Sequence, residues 1–135
     1  KDTAQLNAFL KNEFTLGKVA TEINTSFPKI IYKKMLNKYK KGLIKKKIGI
    51  LGMAFKSDID DTRDSLSIDL LNYLKSKKLS VNISDHFVNM KGIIKASDLI
   101  KKSDIIIIGS PHSKYKKLKI PKNKFLIDSW GLFEK

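Results

Sequence analysis

Apolar residues recur near the start of the chain at Leu16, Val19, Ala20, Ile23, Phe27, Ile30, Ile31, Met35 and Leu36. Spacings of three and four place them on one face of an α-helix. The pattern predicts helix from Thr15 to Lys41, as one element or two. Pro28 lacks a backbone N–H and crowds the preceding turn, so a kink or break is expected near Ser26 to Phe27. So long a stripe needs a partner, and a second copy of the same helix is the economical one. After the lysines at 45–47 the period changes. "IGILG" reads as a buried strand, Leu66 to Lys77 as an amphipathic helix with Ile68, Leu71 and Leu74 inward, and "LSVNIS" as a second strand. Asp98 to Lys102 closes a short helix, "DIIIIGS" is a fully buried strand and "KFLIDSW" a fourth. Strand and helix alternate throughout. That alternation implies right-handed crossovers and a mainly parallel sheet with helices on its faces, a small three-layer α/β domain over 42–135.

In such sheets ligands bind beyond the carboxyl ends of the strands. Here those ends are Gly52 to Arg63, Asp85 to Val88, Gly109 to Tyr115 and Asp128 to Gly131. They carry Lys56 and Arg63, His112 and Lys114, and Asp128 and Trp130. The mixture suits an anion joined to a flat ring. Each has a plainer reading: Asp85 and Asp128 as residues that cap or bridge loops, His112 as a satisfied surface histidine, Trp130 as core. The acidic run Asp58, Asp60 and Asp61 has no second acidic cluster to complete a magnesium site, so no metal is expected. These acids are expected to pair with Lys56 and Arg63 and to favour the N-terminus of the following helix.

Composition sets the outer bounds. The chain has 135 residues, enough for one domain with a sizeable core, and 41% of them are hydrophobic. It has no cysteine, which excludes disulfides and cysteine-based zinc sites and makes a reducing, cytoplasmic setting the default. No apolar run approaches the ~20 residues of a membrane span, so no membrane partner is expected. The net charge of +15 invites a nucleic-acid reading, but the lysines are spread along the whole chain. A soluble surface that favours anions, with no nucleic-acid partner, is the expectation.

The turn in "KIGILGMAFKSDIDDTRDS" (47–65) is the most informative stretch. A dinucleotide fingerprint reads G-x-G-x-x-G, because its glycines let backbone approach a pyrophosphate and helix pack on strand. Here Phe55 and Lys56 stand where further small residues would be. No Ser-His-Asp order or metal-ligand spacing appears, so the chain shows a binding site and not a complete catalytic centre.

"LGMAFKSDIDDTRDS" closely resembles the G-x-x-F-K-x-x-x-x-D-x-R-x-S signature that opens the C-terminal domain of the UDP-glucose/GDP-mannose dehydrogenase family. "KDTAQL" is similar to the segment after that family's catalytic cysteine, "ATEIN" and the following proline to its central helix, and "PHSKY" and "LIDSWG" to its later βα loops. The resemblance implies that 1–14 ends the catalytic segment, 15–41 is a linker and dimerisation helix, and 42–135 is a Rossmann-like domain binding a UDP-sugar. By position it implies that Phe55, Lys56 and Trp130 contact substrate, that Lys1 and Arg63 lie at the cofactor, and that Asp2 matches the acid that orients or activates water. The cofactor would be NAD, bound mainly by a separate N-terminal domain. The implied reaction is oxidation of the C6 hydroxyl of a UDP-hexose, UDP-glucose or a UDP-N-acetylhexosamine, to the uronate. In the family's C-x-x-K-D pattern the nucleophilic cysteine precedes Lys1, so a piece of a longer enzyme is expected, able to bind and dimerise but not to turn over. Trp130 stands where many relatives have an arginine, and His86 where they often have proline. From a different class, the rival is a noncatalytic α/β nucleotide-binding or regulatory module.

Overall fold

The computed structural model describes residues 2–10 and 14–133. Helix α1 (Asp2–Phe9) leads to α2 (Thr15–Tyr39), and a 3-10 turn (Lys40–Lys45) leads into the sheet. There β1 (Lys47–Leu51), α3 (Leu66–Ser76), β2 (Ser80–Ser84), α4 (Ala96–Lys102), β3 (Ile105–Ile108) and β4 (Phe125–Ile127) follow in turn, with a 3-10 turn (Ser113–Lys117) between the last two strands. The strand order is β2-β1-β3-β4 and every pairing is parallel. This is the expected α/β architecture, a long helix followed by a Rossmann-like domain. The chain reverses its direction of winding between β1 and β3, so the carboxyl ends of these two strands open the crevice where ligands bind in such sheets.

The period-2 alternation of the strands divides the core in two. Ile48, Ile50, Ile105, Ile107 and Ile127 pack with Leu70, Leu71 and Leu74 of α3 and Ile31 and Met35 of α2. On the opposite face Leu51, Ile106 and Ile108 meet Leu99 and Ile100 of α4, with Tyr115. Gly49 belongs to the second face. A Cβ there would run into the Leu99 side chain, so this glycine serves helix–sheet packing and not a ligand.

Of the two arrangements expected, the long helix is a single element and not broken: Pro28 lies inside a continuous helix. The hydroxyls of Thr25 and Ser26 donate to the carbonyls of Glu22 and Ile23 around the proline, and Phe27, Ile31 and Met35 anchor the element to the domain core on either side of it. The apolar stripe is also not a single surface. Ile31 and Met35 are buried against this chain's own sheet layer, whereas Leu16, Val19, Ile23 and Ile30 stay exposed.

Candidate functional site

The loop joining β1 to α3 is built by backbone strain and internal pairing. Gly52 takes φ +93°, a region that favours glycine, and its N–H donates to Ser84 O at 2.8 Å. Phe55 N–H donates to Asp61 O at 2.7 Å, closing the loop on itself. Asp58 and Asp64 hold left-handed backbone, which aspartate tolerates better than most residues. Ser65 caps α3, accepting from Ser67 N–H, and its hydroxyl donates to Met53 O at 2.8 Å. The turn thus has its ends fixed and presents Phe55 and Lys56 outward, both exposed.

A buried polar network lies beneath it. The Asp85 and His112 side chains have no exposed surface, and His112 Nε2 lies 3.0 Å from Asp85 Oδ2. Asp58 N–H donates to His112 Nδ1 at 2.8 Å. With Nδ1 accepting, the ring is the neutral Nε2–H tautomer, and Nε2 donates to Asp85. Asp85 also accepts from the N–H groups of Met53, Ala54, Phe87 and Val88. Burial opposes its ionisation, but the His112 bond and the backbone donors outweigh burial and hold its carboxyl well below the usual carboxylate range. The Asp58 carboxylate accepts from Ser113 N–H and Oγ, and those bonds lower its pKa.

The placement corrects several expectations. His112 is fully buried and not on the surface, and it ties the first βα loop to the third. Asp58 serves Ser113 and not Lys56 or Arg63. Only Asp61 answers to the expected pairing: its carboxylate takes Arg63 Nε and Nη2 at 2.9 and 2.8 Å. Lys56 makes no ion pair among the described residues. Asp85 bridges loops, whereas Asp128 caps its own, accepting from Trp130 N–H and Phe133 N–H.

Above this network lies a cleft of about 770 Å³ between α2, α3 and the carboxyl ends of β1 and β3. Phe55, Lys56 and Trp130 all line it, together with Thr21, Asn24 and Thr25 of α2, Ser67 of α3 and its cap Ser65. Trp130 is 49% exposed, and its indole N–H is spent on Gly109 O at 3.1 Å. It therefore offers the cleft a ring face and no donor. Gln5 brings α1 to the same cleft. Arg63, 77% exposed at its side chain, is not among the lining residues. Asp2 begins α1, and Lys1 lies outside the described residues. The cleft combines the Lys56 ammonium with two aromatic rings, several hydroxyl and amide groups and the carboxylates of Asp64 and Asp69, a mixture of charge, ring faces and polar groups that suits an anion carrying a heterocycle and a polar ring.

Among the described residues no group of three His, Asp or Glu side chains could hold a metal ion, and no helix is long and apolar enough to cross a membrane. The residue that sequence reasoning undervalued is His112. The proline–histidine pair after a buried strand marks it only as a loop residue; its burial follows from the β1–β3 adjacency.

The UDP-binding domain model of the UDP-glucose/GDP-mannose dehydrogenase family matches residues 49–135. A UDP-N-acetyl-D-mannosamine dehydrogenase of Methanococcus aeolicus is 27% identical over 125 residues, 84% of this chain and 28% of that protein. One from Campylobacter jejuni is 39% identical over 69 residues, 51% of this chain and 17% of that protein. The solved UDP-D-ManNAc dehydrogenase of Pyrococcus horikoshii superposes with a TM-score of 0.80 at 23% identity, covering 100% of this chain and 34% of that one, a likeness of fold. This chain therefore spans about a third or less of the relatives it matches. With its parallel sheet, its Phe-Lys turn and a family model that covers most of its length, the chain belongs to the UDP-glucose/GDP-mannose dehydrogenase family and carries that family's UDP-binding domain.

Proposed function

We propose that the cleft holds the nucleotide sugar of a UDP-hexose 6-dehydrogenase, with Lys56 as the cation for the diphosphate or a developing oxyanion and Phe55 and Trp130 as ring walls. One observation carries this reading: Phe55 and Lys56 of the first βα loop and Trp130 of the loop after β4 line one cleft beside the switch point between β1 and β3. The substrate class follows from the same wall and from the relatives. An indole without a free donor suits an N-acetyl group better than a bare hydroxyl, and several relatives are named for UDP-N-acetyl-D-mannosamine. The reaction would be oxidation at C6 of a UDP-N-acetylhexosamine to the uronate.

NAD would supply the oxidant, but the β1 turn does not fit its pyrophosphate. Phe55 stands at the position of a small residue, and the Met53 and Ala54 amides already serve Asp85. These residues therefore bind and orient the sugar nucleotide, while NAD would be held mainly by a separate domain. Arg63, exposed at its side chain and oriented by its Asp61 pair, would face that cofactor together with Lys1. Asp2 would orient water from the start of α1. The chain has no cysteine to act as nucleophile, so alone it should bind without turnover. Self-association through the exposed face of α2 would complete the assembly.

Titration calorimetry with UDP, a UDP-N-acetylhexosamine and UDP-glucose tests this reading. The N-acetyl sugar should bind tightest, and Lys56→Ala should weaken all three by roughly 1.5–3 kcal/mol, the scale of a charged hydrogen bond, without unfolding the domain. Equal affinities for wild type and Lys56→Ala would return Lys56 to the solvated surface.

A further inference from the structure

Successive N–H groups in the turn after the first strand of a Rossmann-like sheet converge on the pyrophosphate of a bound dinucleotide. In this chain they converge on Asp85. Met53 and Ala54 N–H reach its Oδ2 at 2.6 and 3.2 Å, His112 Nε2 reaches the same oxygen at 3.0 Å, and Phe87 and Val88 N–H reach Oδ1 at 2.7 and 3.0 Å. Five donors around one fully buried carboxylate are the complement expected for a bound oxyanion. Asp85 also stands directly after β2, where the acid of a dinucleotide fold faces a ribose hydroxyl. With no exposed surface it is out of reach of one.

We infer that Asp85 is a built-in anion that fills the phosphate seat of the β1 turn, excludes ligand phosphate from it, and thereby positions the Phe55–Lys56 arm of the outer cleft. The arm is held on both sides by this one carboxylate. On one side Ala54 N–H is bound to Asp85 directly; on the other Asp58 N–H is bound to His112, which itself donates to Asp85. A covalently attached carboxylate has a very high local concentration at its seat, so a dissolved phosphate cannot compete for it. The ligand is then pushed to the outer face, where Lys56 waits. Only this last consequence rests on the UDP-sugar reading; the filled seat does not.

Asp85→Gly would leave the five donors around a hole that formate fits. In tens of millimolar formate, with sodium chloride as the ionic-strength control, the variant should gain about 3–5 °C in melting temperature while the wild type stays unchanged. Its UDP affinity should fall at least about tenfold, the scale of one charge-assisted contact, and recover in formate, a rescue that a merely structural side chain would not show. Equal formate shifts in both proteins, or none in a folded variant, would overturn the seat. Undiminished UDP affinity in the variant would overturn the positioning role.

If the variant fails to fold, amide NMR of the wild-type chain decides. Inorganic phosphate should leave the Met53 and Ala54 resonances unmoved, and a saturable shift of both would overturn the proposal. UDP should move Phe55 and Lys56 but not Met53 or Ala54. Silence at all four rejects UDP as the ligand of the cleft, while Met53 and Ala54 remain as a filled seat requires.

Discussion

Asp85 and Tyr115, both opposed by burial in ionising near the carboxyl end of β2, shift in opposite directions. Asp85 is held below its ordinary pKa because the His112 and backbone donors outweigh the cost of desolvation. Tyr115, which donates to Ser84 O at 3.3 Å, is pushed well above its ordinary value, first by burial and then by the charge of Asp85. For the carboxyl, the unfolded chain binds a proton from about pH 4 downward while the folded chain does not, so its stabilisation is complete above that pH and lost as pH falls. For the phenol, the unfolded chain ionises above about pH 10 while the folded chain stays neutral, so stability is lost as pH rises. Chemical denaturation across pH should show both limbs, with Asp85→Asn flattening the acid limb and Tyr115→Phe the alkaline one. Unaltered limbs in the variants would disprove the assignment. Little of this was legible in sequence. Asp85 and His112 are 27 positions apart, and nothing in "SDHF" or "PHSK" says that both side chains turn inward. That Phe55, Lys56 and Trp130 gather at the carboxyl edge of the sheet was legible, because each follows a strand in a recognisable motif.

At the scale of elements the four strands and helices α2, α3 and α4 were readable from period, since parallel strands buried on both faces leave unbroken apolar runs such as Ile105–Ile108, whereas α1 was not foreseen. The loop between β1 and α3 was readable only as a departure from a dinucleotide turn. Its shape depends on Gly52, where φ is +93° and a Cβ would lie 2.5 Å from the Ser110 backbone N and O. Gly52→Ala should therefore destabilise the domain by at least about 1–3 kcal/mol, the scale of a strained backbone position, before any clash is counted. Urea unfolding would measure it. A change below about 0.5 kcal/mol, the range of an ordinary surface substitution, would mean that the turn relaxes freely. Of the two arrangements expected around Pro28, the unbroken helix holds for a physical reason. Local propensity disfavours a proline inside a helix, but Phe27, Ile31 and Met35 join the domain core on both sides of it, and tertiary packing overrides the lost hydrogen bond.

For the whole molecule, the open question is what covers the first half of α2. Leu16, Val19, Ile23 and Ile30 are 72%, 44%, 59% and 52% exposed, and Leu6 and Phe9 of α1 add 47% and 82%. The spacings three, four and seven keep the α2 residues on one stripe about 20 Å long at 1.5 Å per residue. Monomeric surfaces rarely carry so continuous an apolar strip. The sequence expectation placed Ile31 in this face. Its burial within its own domain removes it and leaves a seam with the 3.5-residue repeat of paired helices. Two copies related by a two-fold axis would cover each other with the same residues, because an isologous interface is self-complementary. Light scattering from micromolar to millimolar concentration should therefore give the mass of a dimer. Ile23→Glu, at the middle of the seam, should give a folded monomer, since a carboxylate buried against its own copy has no partner and costs several kcal/mol. The variant should keep the wild-type UDP affinity if Ile23, which does not line the cleft, acts only between copies. A wild-type chain that stays monomeric throughout would leave the stripe to some other cover, and a dimer undisturbed by Ile23→Glu would place the interface elsewhere on the molecule.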